Sequence, residues 1–497
     1  MNADDLRADN ERLQTENAEL KQRLADLDAV VRDLKAQLEA ALRASKRQAT
    51  PFSKGVPKAK PKKPGRRAGH PAAHRAVPAH VDRVAEAALP ATCPDCAGPV
   101  LEDAVQVQYQ EDIPRPVPTI VTQFNVHIGH CALCQRRIQG RHPDQTSDAL
   151  GAAAIQIGPN ALGLAAEMKH GLGVSYGKVA RLLETSLGLR LERSTVARAD
   201  ERLAKRLMPT YQQLLLRLRA SEVVHADETG WKVAGQKAWL WVFTNDDLSV
   251  YTIDPTRAHA VVERILGEDF AGVLGCDCFL AYDALKTYTQ SKCAGHLLRR
   301  CTEISESKSG RAVRFSQQVA RLLRAAITLK QRHREDKLSP HGYAVACGRL
   351  EAALDRFLAG HYTDPDNARL AKLLRKQRPH LFTFLYVEAM DPTNNAAERE
   401  IRPAVLIRKT NGCNRSETGA QTHSILTSII RTCQKHGQDF VNAVKRVLRQ
   451  PAPLVLDLVS KTTRYSNTSK LKAGGTASVN TGANTAFNLS GVNGLDR

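Results

Sequence analysis

Leucine recurs every seventh position at the start of the chain: Leu6, Leu13, Leu20, Leu27 and Leu34, with Asn10, Asn17, Leu24, Val31 and Leu38 in the alternate seam position. That spacing keeps one apolar stripe on one helix face and predicts a leucine-zipper coiled coil over residues 1–45. The two seam asparagines cost stability and fix register, which favours a parallel dimer. Residues 146–220 are Ala- and Leu-rich with helical spacing; 175–187, Gly188 and 194–203 read as helix, turn, helix, with Ser194 as the cap of the second. From Glu222 the period shortens to two. Strands are expected at 223–227, ending on Asp227, at 239–243 and at 249–253, then a helix at 258–266 and a strand at 272–276 that delivers Asp277. Helices at 313–331, 343–357 and 367–376 follow, then a short one capped by Asn394 or Asn395 and stopped by Pro403.

Composition changes this picture in two places. Between 46 and 80 there are ten Lys/Arg, six Pro and no acid, including Lys62, Lys63, Arg66 and Arg67. Such a stretch cannot bury a core, so 46–85 is expected to be a basic extended linker able to neutralise phosphates. The tail, 451–497, turns rich in Ser, Thr, Asn and Gly and is expected to be largely disordered. Across the chain 72 Lys+Arg face 51 Asp+Glu, a net charge of +21, which favours a polyanionic partner, nucleic acid first. No apolar run reaches the ~18–20 residues of a membrane span and the charged N-terminus is unlike a signal peptide, so a cytoplasmic, nucleoid-associated protein with no membrane partner is expected.

Of eleven cysteines, four form two Cys-x-x-Cys pairs, Cys93/Cys96 and Cys131/Cys134. Two such knuckles complete a closed tetrahedral site, so 86–145 is expected to be a small module stapled by structural Zn²⁺. Segments 105–109 and 120–126 read as the strand pair that bridges it; His127, His130 and His142 are spare ligands.

Three meandering strands, a helix and a fourth strand, with acids on the first and fourth, follow the order of a ribonuclease-H-like fold. There the two strands lie side by side, and Asp227 and Asp277 converge. Glu398 on the later helix would complete a hard-oxygen site for two Mg²⁺ or Mn²⁺ ions, beside Arg399 and Arg402 as phosphate-binding cations. Glu228 and Asp283 compete for the first two roles and Glu400 for the third. The fold class expected is therefore multidomain α+β: coiled coil, zinc module, helix-turn-helix-like domain, and a catalytic domain at 221–450 with a helical insertion at about 305–380.

The segments His225-Ala-Asp227-Glu-Thr-Gly-Trp231 and Asn394-Asn-Ala-Ala-Glu398-Arg399-Glu-Ile-Arg402-Pro403 resemble the transposases of the insertion-sequence-66 family. The resemblance takes in the zipper, the linker with Pro64-Gly65-Arg66-Arg67-Ala-Gly69-His70, and the cysteine pairs, roughly residues 1–450. It implies a transposase in which Asp227, Asp277 and Glu398 serve DNA end cleavage and strand transfer, with terminal inverted repeats, target DNA and accessory element-encoded proteins as partners. Cys278 stands where the family usually has Gly, and Cys293-Ala-Gly-His296 keeps a Cys-x-x-His motif without its usual Trp. Cys293 and His296 are expected to be structural residues near the site; a second zinc held with Cys276 and Cys278 is the alternative. Arg193, Arg198, Arg399, Arg402, Arg408 and Lys409 are the expected DNA contacts. The rival readings are a non-catalytic, zinc-containing dimeric DNA-binding regulator, a ribonuclease-H-like nuclease that cuts without joining, and a coiled-coil scaffold for an acidic partner.

Overall fold

The computed structural model describes residues 3–45, scattered positions between 77 and 110, and 119–459. Lys62, Lys63, Arg66, Arg67, Cys93 and the tail beyond 459 lie outside the described residues. The heptads form one helix, α1 (Ala3–Ser45), on which Leu13, Leu20, Leu24, Leu27, Val31 and Leu34 are exposed.

Around the second cysteine pair a short antiparallel ladder forms, β1 (Ile128–His130) with β2 (Arg137–Gln139). The strand pair expected at 105–109 and 120–126 is not seen: described residues 106–109 and 120–126 carry no ladder. Closing the hairpin across Cys131 and Cys134 spans a much shorter loop, and a short loop costs less entropy.

Helix α2 (Pro159–Ala166) runs into a π-helical turn, Glu167–Gly171, before α3 (Tyr176–Leu187) and α4 (Arg193–Arg219). The expected helix-turn-helix is present, and α3 ends on Gly188 at φ 66°, where a side chain would strain the backbone. Ser194 is not the cap of α4: the cap position is Glu192, and Ser194 lies inside the first turn. The helix also runs on through Pro209, because Val196, Leu203, Leu207, Leu214 and Leu218 bury one continuous face.

The sheet comprises β3 (Val223–Val233), β4 (Gln236–Thr244), β5 (Ser249–Asp254), β6 (Val273–Cys276) and β7 (Thr289–Lys292), in the order β5-β4-β3-β6-β7. The β5-β4-β3 pairs are antiparallel; β3-β6 and β6-β7 are parallel. Helices α5 (His259–Leu266) and α6 (Leu280–Asp283) flank β6 in sequence. Strand β3 does not end on Asp227. It continues to Val233, because Ala234 and Gly235, both at positive φ, make a two-residue hairpin turn that keeps β3 and β4 paired to their tips.

Side-chain alternation gives the sheet two buried faces. Val224, Ala226, Trp241, Phe243, Val250, Leu274 and Cys276 form one core with α4, α5, α13 (Glu417–Lys435) and α14 (Phe440–Arg449). On the other face Leu240, Val242 and Tyr251 meet α12 (Asn395–Asn411). There too Val223 and Val273 meet a helical block of α7 (Ala294–Ser307), α8 (Arg314–Arg334), α9 (Pro340–Ala359), α10 (Pro365–Gln377) and α11 (Thr383–Tyr386). Pro403 does not stop α12, which runs on to Asn411: a proline removes one backbone donor, while Ile401, Ala404 and Ile407 bury the same face on both sides of it. The edge of β5 is closed by hydroxyls of α13; Ser249 N–H donates to Thr432 Oγ1 (3.2 Å) and Tyr251 N–H to Ser428 Oγ (2.8 Å). The result is a mixed α+β chain with helices on both faces of a mixed sheet.

Candidate active site

Strand register brings the first two acids together. Val223 pairs with Val273 and His225 with Gly275, so the same register extended by two residues sets Asp277 beside Asp227. A side chain at position 275 would collide with Met390 and His225, so glycine lets this face pack closely. The Asp277 Oδ1 accepts from Phe279 N–H (2.8 Å), and the Asp227 Oδ1 accepts from Glu228 N–H (2.9 Å).

Asn394 carries the third acid to the same place. It occupies the cap position of α12, but its side chain makes no cap; its Nδ2 donates to the Ala226 carbonyl (2.7 Å) and its Oδ1 lies 3.1 Å from His225 Nδ1. Its own N–H donates to Cys293 Sγ (3.1 Å). Glu398 stands one turn later, on the same side of the helix as Asn394. Burial is the main cause that pushes the Asp227 carboxyl up to about 8; the nearby carboxylates of Glu228, Asp277 and Glu398 push the same way, against the Glu228 N–H. Among the described residues neither Asp227 nor Asp277 forms an ion pair, and Glu398 meets only His296, whose Nδ1 is 3.7 Å from Glu398 Oε1.

The competing acids each have a cationic partner in the fold, although burial still holds the Glu228 carboxyl above its usual range, against Tyr282 and Arg257. Glu228, one residue on and therefore on the opposite face, is buried against Arg257 (Nε, 2.8 Å) and the Tyr282 hydroxyl (2.7 Å). Arg257 is itself held between the rings of Phe279 (3.5 Å) and Trp239 (4.6 Å). Asp283 meets Lys376 (2.8 Å), Lys292 (3.7 Å) and Gln377; burial raises its carboxyl, and the bonds from Lys376 and Gln377 outweigh burial and hold it low. Glu400 meets Arg431 (2.8 Å), Tyr251 (2.9 Å) and Lys435 (3.7 Å), with the same net lowering against burial.

Residues 154–422, more than half of the chain, match the family described as Transposase IS66 family. The chain belongs to this family. A relative, the uncharacterized protein y4qI of Sinorhizobium fredii (strain NBRC 101917 / NGR234), is 24% identical over 408 residues, 75% of this chain and 73% of the relative. The match to the IS66 transposases takes in α2–α4, the whole sheet and all three acids; α1 and the cysteine pairs precede it. Family membership makes DNA the partner and phosphodiester chemistry the activity at the coarse level.

Among the described residues of this transposase, no helix is long and apolar enough to cross a membrane. Arg399, Arg402 and Lys409 are exposed along α12, as are Arg193 and Arg198 on α4. Arg408 is turned inward instead, donating to Thr229 Oγ1 (3.0 Å) and to the Gly230 carbonyl. Cys131 and Cys134 share one knuckle, where backbone N–H groups of Cys134 and Leu133 hold the Cys131 thiol below its usual range. Cys96 is exposed and is not gathered with them into a ligand cluster. Cys276 does not join Cys293: it lies on the other side of β6, with Lys292 Nζ 3.5 Å from its sulfur.

Sequence spacing did not reveal three further features. Asn394 stitches α12 to β3 and α7, a role that the spacing of its motif does not show. Arg257 carries no motif at all. A buried chain runs from Asp200 through His170 (3.1 Å) to His423 (2.9 Å), with Trp231 stacked on His423, and joins the helical unit to α13 and β3. Its one sequence signal is polar residues at buried helical positions.

Proposed function

We propose that this chain cleaves DNA at the ends of an insertion sequence and joins them to a target, through a ribonuclease-H-like domain (221–450) in which Asp227, Asp277 and Glu398 hold two Mg²⁺ or Mn²⁺ ions. The observation that carries this reading is that Asp227 and Asp277, at the adjoining ends of β3 and β6, and Glu398, on α12 packed against them, have no Lys or Arg ion-pair partner among the described residues, while Glu228, Asp283 and Glu400 each have one. The strand order β5-β4-β3-β6-β7 supports the fold assignment. The donor set is all carboxylate oxygen, which suits a hard divalent ion, and a buried acid pushed up to about 8 calls for an outside cation. When bound, the ions supply Lewis-acid activation of the nucleophile and stabilisation of the leaving oxygen.

The chain's own residues orient the reaction. Asn394 and His225 lock α12 to β3 and so fix Glu398; Phe279 N–H fixes Asp277. Arg399, Arg402 and Lys409 lie on the helix of Glu398 and grip the flanking phosphates. In the first step the oxygen of water bonds to phosphorus, the P–O3′ bond breaks, and the departing 3′ oxygen gains a proton. In the second, the freed 3′-OH attacks a target phosphodiester; one P–O bond forms and one breaks, so no external energy source is needed.

The remaining regions are assigned supporting parts. The exposed leucines of α1 pair two chains, and Cys131 and Cys134, joined on metal binding by Cys93 and Cys96, hold a structural Zn²⁺. The linker with Lys62, Lys63, Arg66 and Arg67, and α4 with Arg193 and Arg198, bind DNA outside the cut, and the 305–380 block shields the pocket. Accessory element-encoded proteins assist. The test is a duplex bearing the element's terminal repeat, incubated with the protein, target plasmid, Mg²⁺ and those proteins. Expected are 3′-OH nicks and joined product, both lost in Asp227→Asn while DNA binding persists. Equal product from the variant sinks the site assignment. Cutting without joining leaves a nuclease, and binding without cutting by the native chain leaves a regulator.

A further inference from the structure

A second set of ligand atoms lies against the oxygen site and differs from it in chemistry. Cys293 Sγ, a ring nitrogen of His296 and a carboxylate oxygen of Glu398 all lie within 4.8 Å of one another. The His296 Nδ1 that faces Glu398 at 3.7 Å is buried and has no hydrogen-bond partner. Cys293 occupies the cap position of α7, and its sulfur accepts the Asn394 N–H (3.1 Å); burial pushes the thiol up, against that N–H and the nearby backbone N–H groups of His296 and Gly295. Asn394 thus couples the helix that carries Glu398 to the turn that carries Cys293 and holds the spacing of the cluster.

We propose that Cys293, His296 and Glu398 form a binding site for a borderline-soft divalent ion of the Zn²⁺ class, abutting the carboxylate site and sharing Glu398 with it. Ion–ligand distances of about 2.0–2.3 Å in a tetrahedral site separate the ligand atoms by roughly 3.3–3.7 Å. The His296–Glu398 spacing already meets this, and the widest separation closes by about 1 Å. Thiolate and imidazole select Zn²⁺ or Co²⁺ over Mg²⁺, and three protein ligands leave a fourth position open. On binding, the Cys293 thiol gives its proton to solvent. Two sites that share one carboxylate compete, so excess Zn²⁺ draws Glu398 away from the oxygen site and inhibits DNA cleavage.

The inference shares Glu398 with the function proposed above, but its test needs no DNA. The full-length protein is stripped of metal and titrated with Co²⁺, and bound cobalt and the thiolate-to-cobalt absorption band are measured. The difference between the native chain and Cys293→Ser removes any signal from the N-terminal cysteine pairs. Expected are one cobalt fewer per chain and a weaker band in Cys293→Ser, and at least tenfold weaker binding at this site in His296→Gln. The half-exposed His296 ring keeps the question open to test if Cys293→Ser fails to fold. Equal cobalt and equal band in the native chain, His296→Gln and any folded Cys293→Ser overturn the site. A native chain that binds cobalt here but never cuts DNA overturns the transposition mechanism and leaves this site standing.

Discussion

On the face of β3 turned toward the segment before α5, Glu228 is buried against Arg257 and Tyr282. On the face turned toward α12, Asp227 is held by a single backbone N–H and crowded by other carboxylates. The two residues are adjacent in sequence and differ only in which way the pleat points them. Burying a carboxylate is costly unless a cation offsets it. The fold supplies that cation to Glu228, to Asp283 and to Glu400, and withholds it from the Asp227 face. An uncompensated acid cluster in a pocket is a poor way to stabilise a protein and a good way to hold a metal.

The sharpest break in this comparison is catalytic. Asp227→Asn and Glu398→Gln should each lower Mg²⁺-dependent DNA cleavage by about 10³-fold or more, roughly 4 kcal/mol in the barrier. Single-turnover cleavage of a pre-bound duplex measures this, and a loss under tenfold would remove either residue from the site.

The pH response comes next. Asp227 keeps its proton in the folded state up to about pH 8, whereas the unfolded chain releases it near pH 4. Its contribution is therefore fully present below about pH 4 and is lost as pH rises through about 8, by an amount on the order of a few kcal/mol. In thermal melts without metal, Asp227→Asn should flatten that decline, and Mg²⁺ should stabilise the native chain more at pH 8 than at pH 6. Parallel melting profiles for the two proteins would contradict it.

The compensated face should answer differently. Glu228→Gln leaves Arg257 without its carboxylate and should cost about 2 kcal/mol of stability, in the presence or absence of Mg²⁺. A melt that Mg²⁺ rescues would show that Glu228 belongs with the metal after all. Smaller again, Asn394→Ala should cost about 1–2 kcal/mol by leaving the Ala226 carbonyl and His225 unpaired. It should also weaken Mg²⁺ binding, because Glu398 loses its anchor; unchanged affinity would mean α12 is held by its apolar face alone. At the edge of the sheet, Ser428→Ala removes one bond to β5 and should cost only about 1 kcal/mol, with no effect on Mg²⁺ affinity.

Much of the scaffold was legible from periodicity. The heptads of α1, the alternation at 239–243 and 249–253, and the helical spacing at 313–331, 343–357 and 367–376 each mark an element that forms within a few residues of the expected bounds. Errors fell where local rules met tertiary packing. Helix α12 runs through Pro403, where a stop is expected, because apolar faces on both sides of it are buried, and β3 outruns Asp227 because its hairpin turn lies at Ala234-Gly235. Asn394 was read as a helix cap, whereas its side chain serves another element, and no spacing rule reaches from residue 394 to residue 226.

By itself the sequence determined the first four strands of the sheet, most of the helices up to α12, the basic excess and the short acid-bearing segments, all of which depend on residues near one another in the chain. Only the tertiary structure decided which acids have counter-cations: Arg257 for Glu228, Lys376 for Asp283 and Arg431 for Glu400. It alone set Cys293 and His296 against Glu398. The physical reason is that a buried charge answers to whatever lies within a few ångströms, and the pleat, the register and the packing of distant helices choose those neighbours.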